Sequence, residues 1–117
     1  MKGKPLKPTH LLFSIIKVWD RDTMTLQASL HGHDDYITEI DISKCNRFIA
    51  SAGKDAQIII WELATGKLLY RLNHHTKLIN CVKFFTPKPS ANENAPQQQY
   101  LFSASDDGTV RLYDLTP

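Results

Sequence analysis

The chain repeats itself. Leu30-His31-Gly32-His33-Asp34 and Leu72-Asn73-His74-His75-Thr76 stand 42 residues apart, as do Tyr36-Ile37-Thr38-Glu39-Ile40-Asp41-Ile42 and Leu78-Ile79-Asn80-Cys81-Val82-Lys83-Phe84. Further on the offset is 52: Ile49-Ala50-Ser51-Ala52-Gly53-Lys54-Asp55 returns as Leu101-Phe102-Ser103-Ala104-Ser105-Asp106-Asp107, and Ile58-Ile59-Ile60-Trp61-Glu62 as Val110-Arg111-Leu112-Tyr113-Asp114. A period of this size means one supersecondary unit stacked on copies of itself, each burying what the next leaves open. The ten extra residues belong to 86–99, TPKPSANENAPQQQ, whose three prolines and scarce apolar side chains make it a polar insert between strands. A shorter copy lies upstream, where Ile16-Lys17-Val18-Trp19-Asp20 stands 42 residues before Ile58-Ile59-Ile60-Trp61-Glu62.

Between these marks apolar residues alternate with period two. Thr38, Ile40 and Ile42 oppose Ile37, Glu39 and Asp41, and Val82 and Phe84 alternate with Cys81 and Lys83. The runs are short, rich in β-branched and aromatic residues, and bounded by turn signals such as Ala64-Thr65-Gly66-Lys67 and Ala104-Ser105-Asp106-Asp107-Gly108. They predict strands at 14–19, 24–30, 36–42, 47–52, 57–62, 67–72, 78–85, 99–104 and 109–114, each paired antiparallel with its short-linked neighbour.

The doubled frame of Gly-His, Ser, Asp and Trp resembles the WD40 repeat family over residues 11–115. The resemblance implies an all-β fold, an incomplete WD40 β-propeller of about two four-stranded antiparallel blades. It divides the chain into a flexible segment at 1–10, the truncated end of a preceding WD repeat at 11–30, one repeat at 31–72 and a second at 73–117 carrying the insert 86–99. In the upstream copy only five residues separate Ser14 from Trp19, against ten between Ser51 and Trp61, so no sound blade is expected from residues 1–22. That gap reads as a truncation, a splice form or a misread gene, with further WD repeats needed to close a ring. The open sheet faces are expected to expose Ile40, Ile58, Ile60, Val82 and Val110.

By the same resemblance, four residues per repeat form a hydrogen-bonded network: His33, Ser51, Asp55 and Trp61 in one, His75, Ser103, Asp107 and Tyr113 in the other. The chemistry is self-consistent, since carboxylate, imidazole, hydroxyl and indole can satisfy one another in series. Tyr113 in place of tryptophan puts the last link of the second network in question, and His74 in place of Gly32 demands a turn that tolerates a β-carbon. The family's partner-binding positions on the channel rim fall on Tyr36, Thr38, Lys54, Leu78, Asn80 and Asp106, with Tyr36 the strongest candidate. The resemblance thus implies a non-catalytic scaffold that binds other proteins or peptides. A narrower similarity, to the bromodomain-and-WD-repeat family, points to chromatin, histones and the nucleus in preference to the cytoplasm. Ubiquitin-ligase components are another class of partner, although Ala64 and Thr116 hold the places where cullin-associated WD40 proteins carry arginine.

Other classes fare worse. Ser51-His33-Asp55 and Ser103-His75-Asp107 have the members of a catalytic triad, but the set recurs in each unit and no oxyanion hole can be named. His31, His33, His74 and His75 fit no common zinc spacing, so no metal and no cofactor are expected. With 14 Lys plus Arg against 12 Asp plus Glu the net charge is +2, too balanced for strong phosphate binding. Lys2, Lys4, Lys7, Arg71 and Lys77, with Tyr70 nearby, are the only material for a nucleic-acid-binding segment, the alternative reading beside a truncated product without independent function. Cys45 and Cys81 make no metal or disulfide pattern, which suits cytosol or nucleus. No apolar run approaches transmembrane length.

Overall fold

The computed structural model describes residues 14–87 and 98–116. The segment 1–10 and most of the insert 86–99 lie outside the described residues. Nine strands follow in chain order: β1 (Ile15–Trp19), β2 (Leu26–His31), β3 (Ile37–Ile42), β4 (Phe48–Gly53), β5 (Ile58–Glu62), β6 (Leu68–Leu72), β7 (Ile79–Phe85), β8 (Tyr100–Ser105) and β9 (Val110–Asp114). Each begins and ends within two residues of the limits that alternation and turn residues predict. Asn46 and Ala56 turn the chain with φ of 60° and 65°, and Gly66 and Gly108 with 74° and 85°, where a glycine has no β-carbon to clash.

The strands form three antiparallel sheets, β1-β2, β3-β4-β5-β6 and β7-β8-β9. The two later sheets are built alike down to the irregularities. In β3 the register against β4 slips between Ile37 and Glu39, and in β7 the register against β8 slips between Ile79 and Cys81. One full four-stranded blade is thus flanked by a three-stranded and a two-stranded sheet. β1 and β2 are the equivalents of β5 and β6, so the short upstream copy supplies the outer half of a blade.

The sheets stack face to face. Side chains alternate across each strand, so β5 serves both of its neighbours. Ile58 and Ile60 point to β7-β8-β9 and join Ala50, Ala52, Ile79, Val82 and Leu101 in one core cluster. Ile59 and Trp61 point the other way and join Ile16, Leu30 and Ile49 in a second. This corrects one expectation. Ile40 and Val110 are exposed, at 47% and 73%, but Ile58, Ile60 and Val82 are fully buried. The adjacent sheets cover them, each fully buried aliphatic side chain contributing roughly 1.5–3 kcal/mol through removal from water.

Candidate functional site

Two polar clusters are embedded beside these cores. In the first, Asp55 Oδ2 lies 2.9 Å from His33 Nδ1, His33 Nε2 lies 2.7 Å from Ser51 Oγ, and Trp61 Nε1 donates to Ser51 Oγ at 2.9 Å. The carboxylate only accepts, so Nδ1 carries the proton. In a neutral ring Nε2 then accepts from the Ser51 hydroxyl, whose oxygen takes the indole N–H. Burial by itself would raise the Asp55 pKa, but the His33 imidazole and the N–H groups of Asp34 and Gln57 outweigh it and hold the carboxyl below its ordinary value. Those same bonds, at 2.9 and 3.1 Å, tie the turn before β3 to the turn between β4 and β5.

The second cluster keeps the first links and changes the last. His75 Nδ1 stands 2.9 Å from Asp107 Oδ2 and His75 Nε2 stands 2.7 Å from Ser103 Oγ. The Tyr113 hydroxyl meets His74 Nδ1 at 3.4 Å, and the two rings lie 5.7 Å apart. Burial pushes the Tyr113 phenol up in pKa, with Arg111 and Ser103 offsetting part of that rise. The partners are matched. A β-carbon on Gly32 would stand 2.9 Å from the Trp61 ring, so tryptophan requires glycine there, whereas the smaller tyrosine ring leaves room for His74. Thr109, which the sequence does not single out, donates to Asp107 Oδ1 at 2.6 Å and lies 3.2 Å from His75 Nδ1. It is the leading cause that holds the Asp107 carboxyl far below the usual carboxylate range. Its repeat equivalent is Gln57, so no shared pattern marks it.

At the rim the six candidate residues separate into two corners. Tyr36, Thr38 and Lys54, with Ile37, line a mostly apolar hollow of about 530 Å³. Lys54 Nζ lies 5.1 Å from the centre of the Tyr36 ring, within cation–π range. The Thr38 hydroxyl is committed to the sheet junction, donating to the carbonyls of Ala52 and Ile79. The equivalent corner of the next sheet differs. Asn80 donates to Asp106 at 2.7 Å, and the Leu78 carbonyl accepts from the Ser105 hydroxyl and from the Asp106 N–H. Two further contacts escape sequence reasoning. Glu39 and Asp41, on β3, accept hydrogen bonds from the N–H groups of Val82 and Phe84 on β7, at 3.4 and 2.8 Å. These N–H groups point away from β8, so the carboxylates close the inner edge of the neighbouring sheet.

The family described as WD domain, G-beta repeat matches residues 24–62 and 66–114. This chain belongs to the WD40 repeat family. The small ribosomal subunit protein RACK1y of Oryza sativa subsp. japonica is 30% identical over 114 residues, covering 95% of this chain and 30% of that protein. The small ribosomal subunit protein RACK1 of Drosophila melanogaster is 35% identical over 69 residues, covering 59% and 21%. The WD repeat-containing protein 26 homolog of Arabidopsis thaliana is 40% identical over 68 residues, covering 58% and 10%. The chain therefore spans less than a third of the length of each of these relatives.

Within the WD repeats the serine, histidine and aspartate clusters are closed to substrates. Ser51 and Ser103 are 0% exposed, and His33 and His75 have both ring nitrogens engaged. A hydroxyl without access cannot attack an external carbonyl. The clusters fasten each repeat's entry turn to its central strands, and the surfaces left for chemistry with other molecules are the rim and the sheet edges.

Proposed function

We propose that this WD-repeat chain is a non-catalytic scaffold that binds other proteins or peptides through the rim corner built by Tyr36, Ile37, Thr38 and Lys54. The single observation that carries this reading is the apolar hollow beneath the Tyr36–Lys54 pair. An aromatic ring with a cation over it offers a large contact area at small entropic cost and a charged group to orient the partner. The corner formed by Leu78, Asn80 and Asp106 serves as a more polar flank. Asp106 gives that flank a negative charge where the first corner has the positive Lys54.

The assembly to test first is the small ribosomal subunit, because the RACK1 relatives carry that name. Chromatin, histone and ubiquitin-ligase partners rest on the family resemblance, and the relatives named above do not carry them. A nuclear or cytoplasmic place suits a scaffold of this kind, with no preference for the nucleus from those relatives. Affinity capture from cells with the parent chain, run beside its Tyr36→Ala variant, tests the rim. Loss of one or more partners with the variant supports the reading, and unchanged recovery of every partner removes Tyr36 from the binding surface.

A further inference from the structure

Outer strands in this chain occupy a defined seat. β6 pairs with β5 in the register Ile58↔Leu72, Ile59↔Arg71, Ile60↔Tyr70 and Trp61↔Leu68. Leu68 packs into the cluster that also holds Val18, Ala28, Leu30 and Leu63. The next sheet holds β7, β8 and β9 only, so among the described residues nothing pairs with the outer edge of β9. Beside that edge runs a groove of about 460 Å³. Advancing Val18, Ala28 and Leu30 by 42 residues and Leu63 by 52 gives Ile60, Tyr70, Leu72 and Leu115, and all four line the groove together with Tyr113. The groove is therefore the seat that Leu68 fills in the preceding sheet, here without its leucine.

The backbone is set for the same purpose. Ser105 N–H donates to the Thr109 carbonyl and Leu115 N–H donates to the Gln99 carbonyl. Strand alternation then turns the N–H groups of Arg111 and Tyr113 toward β8 and those of Leu112 and Asp114 toward the open edge. In the complete blade the equivalent of Asp114 is Glu62, whose N–H donates to the Lys67 carbonyl at the start of the outer strand. Val110 and Leu112, 73% and 69% exposed, continue the apolar surface around the edge.

We propose that the outer edge of β9 and the groove beside it bind an extended strand supplied by a partner polypeptide, with a leucine-sized side chain opposite Tyr113. Main-chain pairing to Leu112 and Asp114 provides the affinity. The seat between Ile60, Tyr70, Leu72 and Leu115 provides the selection, as in other cases of strand addition to a sheet edge. The partner strand runs antiparallel to β9 and carries its leucine where β6 carries Leu68. This surface is separate from the rim.

The probe is a synthetic peptide with the sequence of residues 65–73, TGKLLYRLN, added to the 117-residue chain. Saturable binding with slowed amide exchange at Leu112 and Asp114 is expected. A peptide carrying Leu68→Asp should bind roughly tenfold or more weakly, because a carboxylate cannot enter the apolar seat. The chain itself is unaltered in this comparison, so folding is not in question. Chain carrying Tyr36→Ala should bind the first peptide as before, which separates this proposal from the rim reading. Equal binding of the two peptides would overturn it, and so would protection appearing at β1 or β3 in place of β9. Leu112 and Asp114 already protected without peptide, in proportion to protein concentration, would show a second copy in the seat and overturn it as well.

Discussion

The clearest evidence that these side chains are selected together comes from one pair of positions. Gly32 faces Trp61, and their repeat counterparts His74 and Tyr113 face each other. Glycine at position 32 is a matter of space, since an added β-carbon would meet the Trp61 ring at 2.9 Å and Ile59 Cδ1 at 3.0 Å. Gly32→His alone should therefore cost about 2 kcal/mol or more through overpacking. Trp61→Tyr alone should cost on the order of 1–3 kcal/mol, from the lost indole N–H to Ser51 and the space left behind. Together the two changes recreate the arrangement of the second repeat, and should cost less than their sum. Urea denaturation of the two single variants and the double variant closes the cycle, and strict additivity would show that the pair is not coupled. Both swaps are visible in the sequence as two separate departures from the frame. That each is the reason for the other emerges only when the rings are seen in contact.

Among the elements, β3 departs furthest from what its sequence suggests. Its alternation offers Ile40 and Ile42 as an apolar face and Glu39 and Asp41 as a polar one, a pattern that ordinarily puts the isoleucines inside. In the structure Ile40 and Ile42 are 47% and 48% exposed, while Glu39 and Asp41 turn toward β7 and accept its free N–H groups. The slip in register between Ile37 and Glu39 helps aim these side chains. The ion pair of Glu39 with Lys83, 3.8 Å apart with the lysine largely exposed, contributes little beside them. Asp41→Ala should lower stability by about 1–2 kcal/mol, because the Phe84 N–H loses its acceptor. Amide exchange at Phe84 should accelerate in step. Glu39→Ala should have a smaller effect at Val82, where the bond is 3.4 Å long, and an unchanged Phe84 exchange rate in the Asp41 variant would show that the bond does not hold the junction.

For the molecule as a whole, stacking order decides which residues form the core. Ile58 and Val110 are repeat equivalents, and so are Ile60 and Leu112, yet the first of each pair is fully buried and the second is 73% or 69% exposed. Ile60→Ala should destabilise the chain by about 2–4 kcal/mol, whereas Leu112→Ala should stay within about 0.5 kcal/mol. Chemical denaturation of the two variants side by side measures this, and similar losses would mean that the Leu112 face is covered in solution. The sequence by itself determined the strands, the turns and the members of the polar clusters. These follow from period-two alternation, positive-φ turn residues and the repeated frame, all of them local or recurring along the chain. It determined the family for the same reason. Only the tertiary structure decided which face of each sheet meets a neighbour, that Glu39 and Asp41 close an edge, and that β9 keeps one open. A sheet has two faces and two edges of similar composition, and which of them are covered depends on what packs beside it, a property that no residue carries alone.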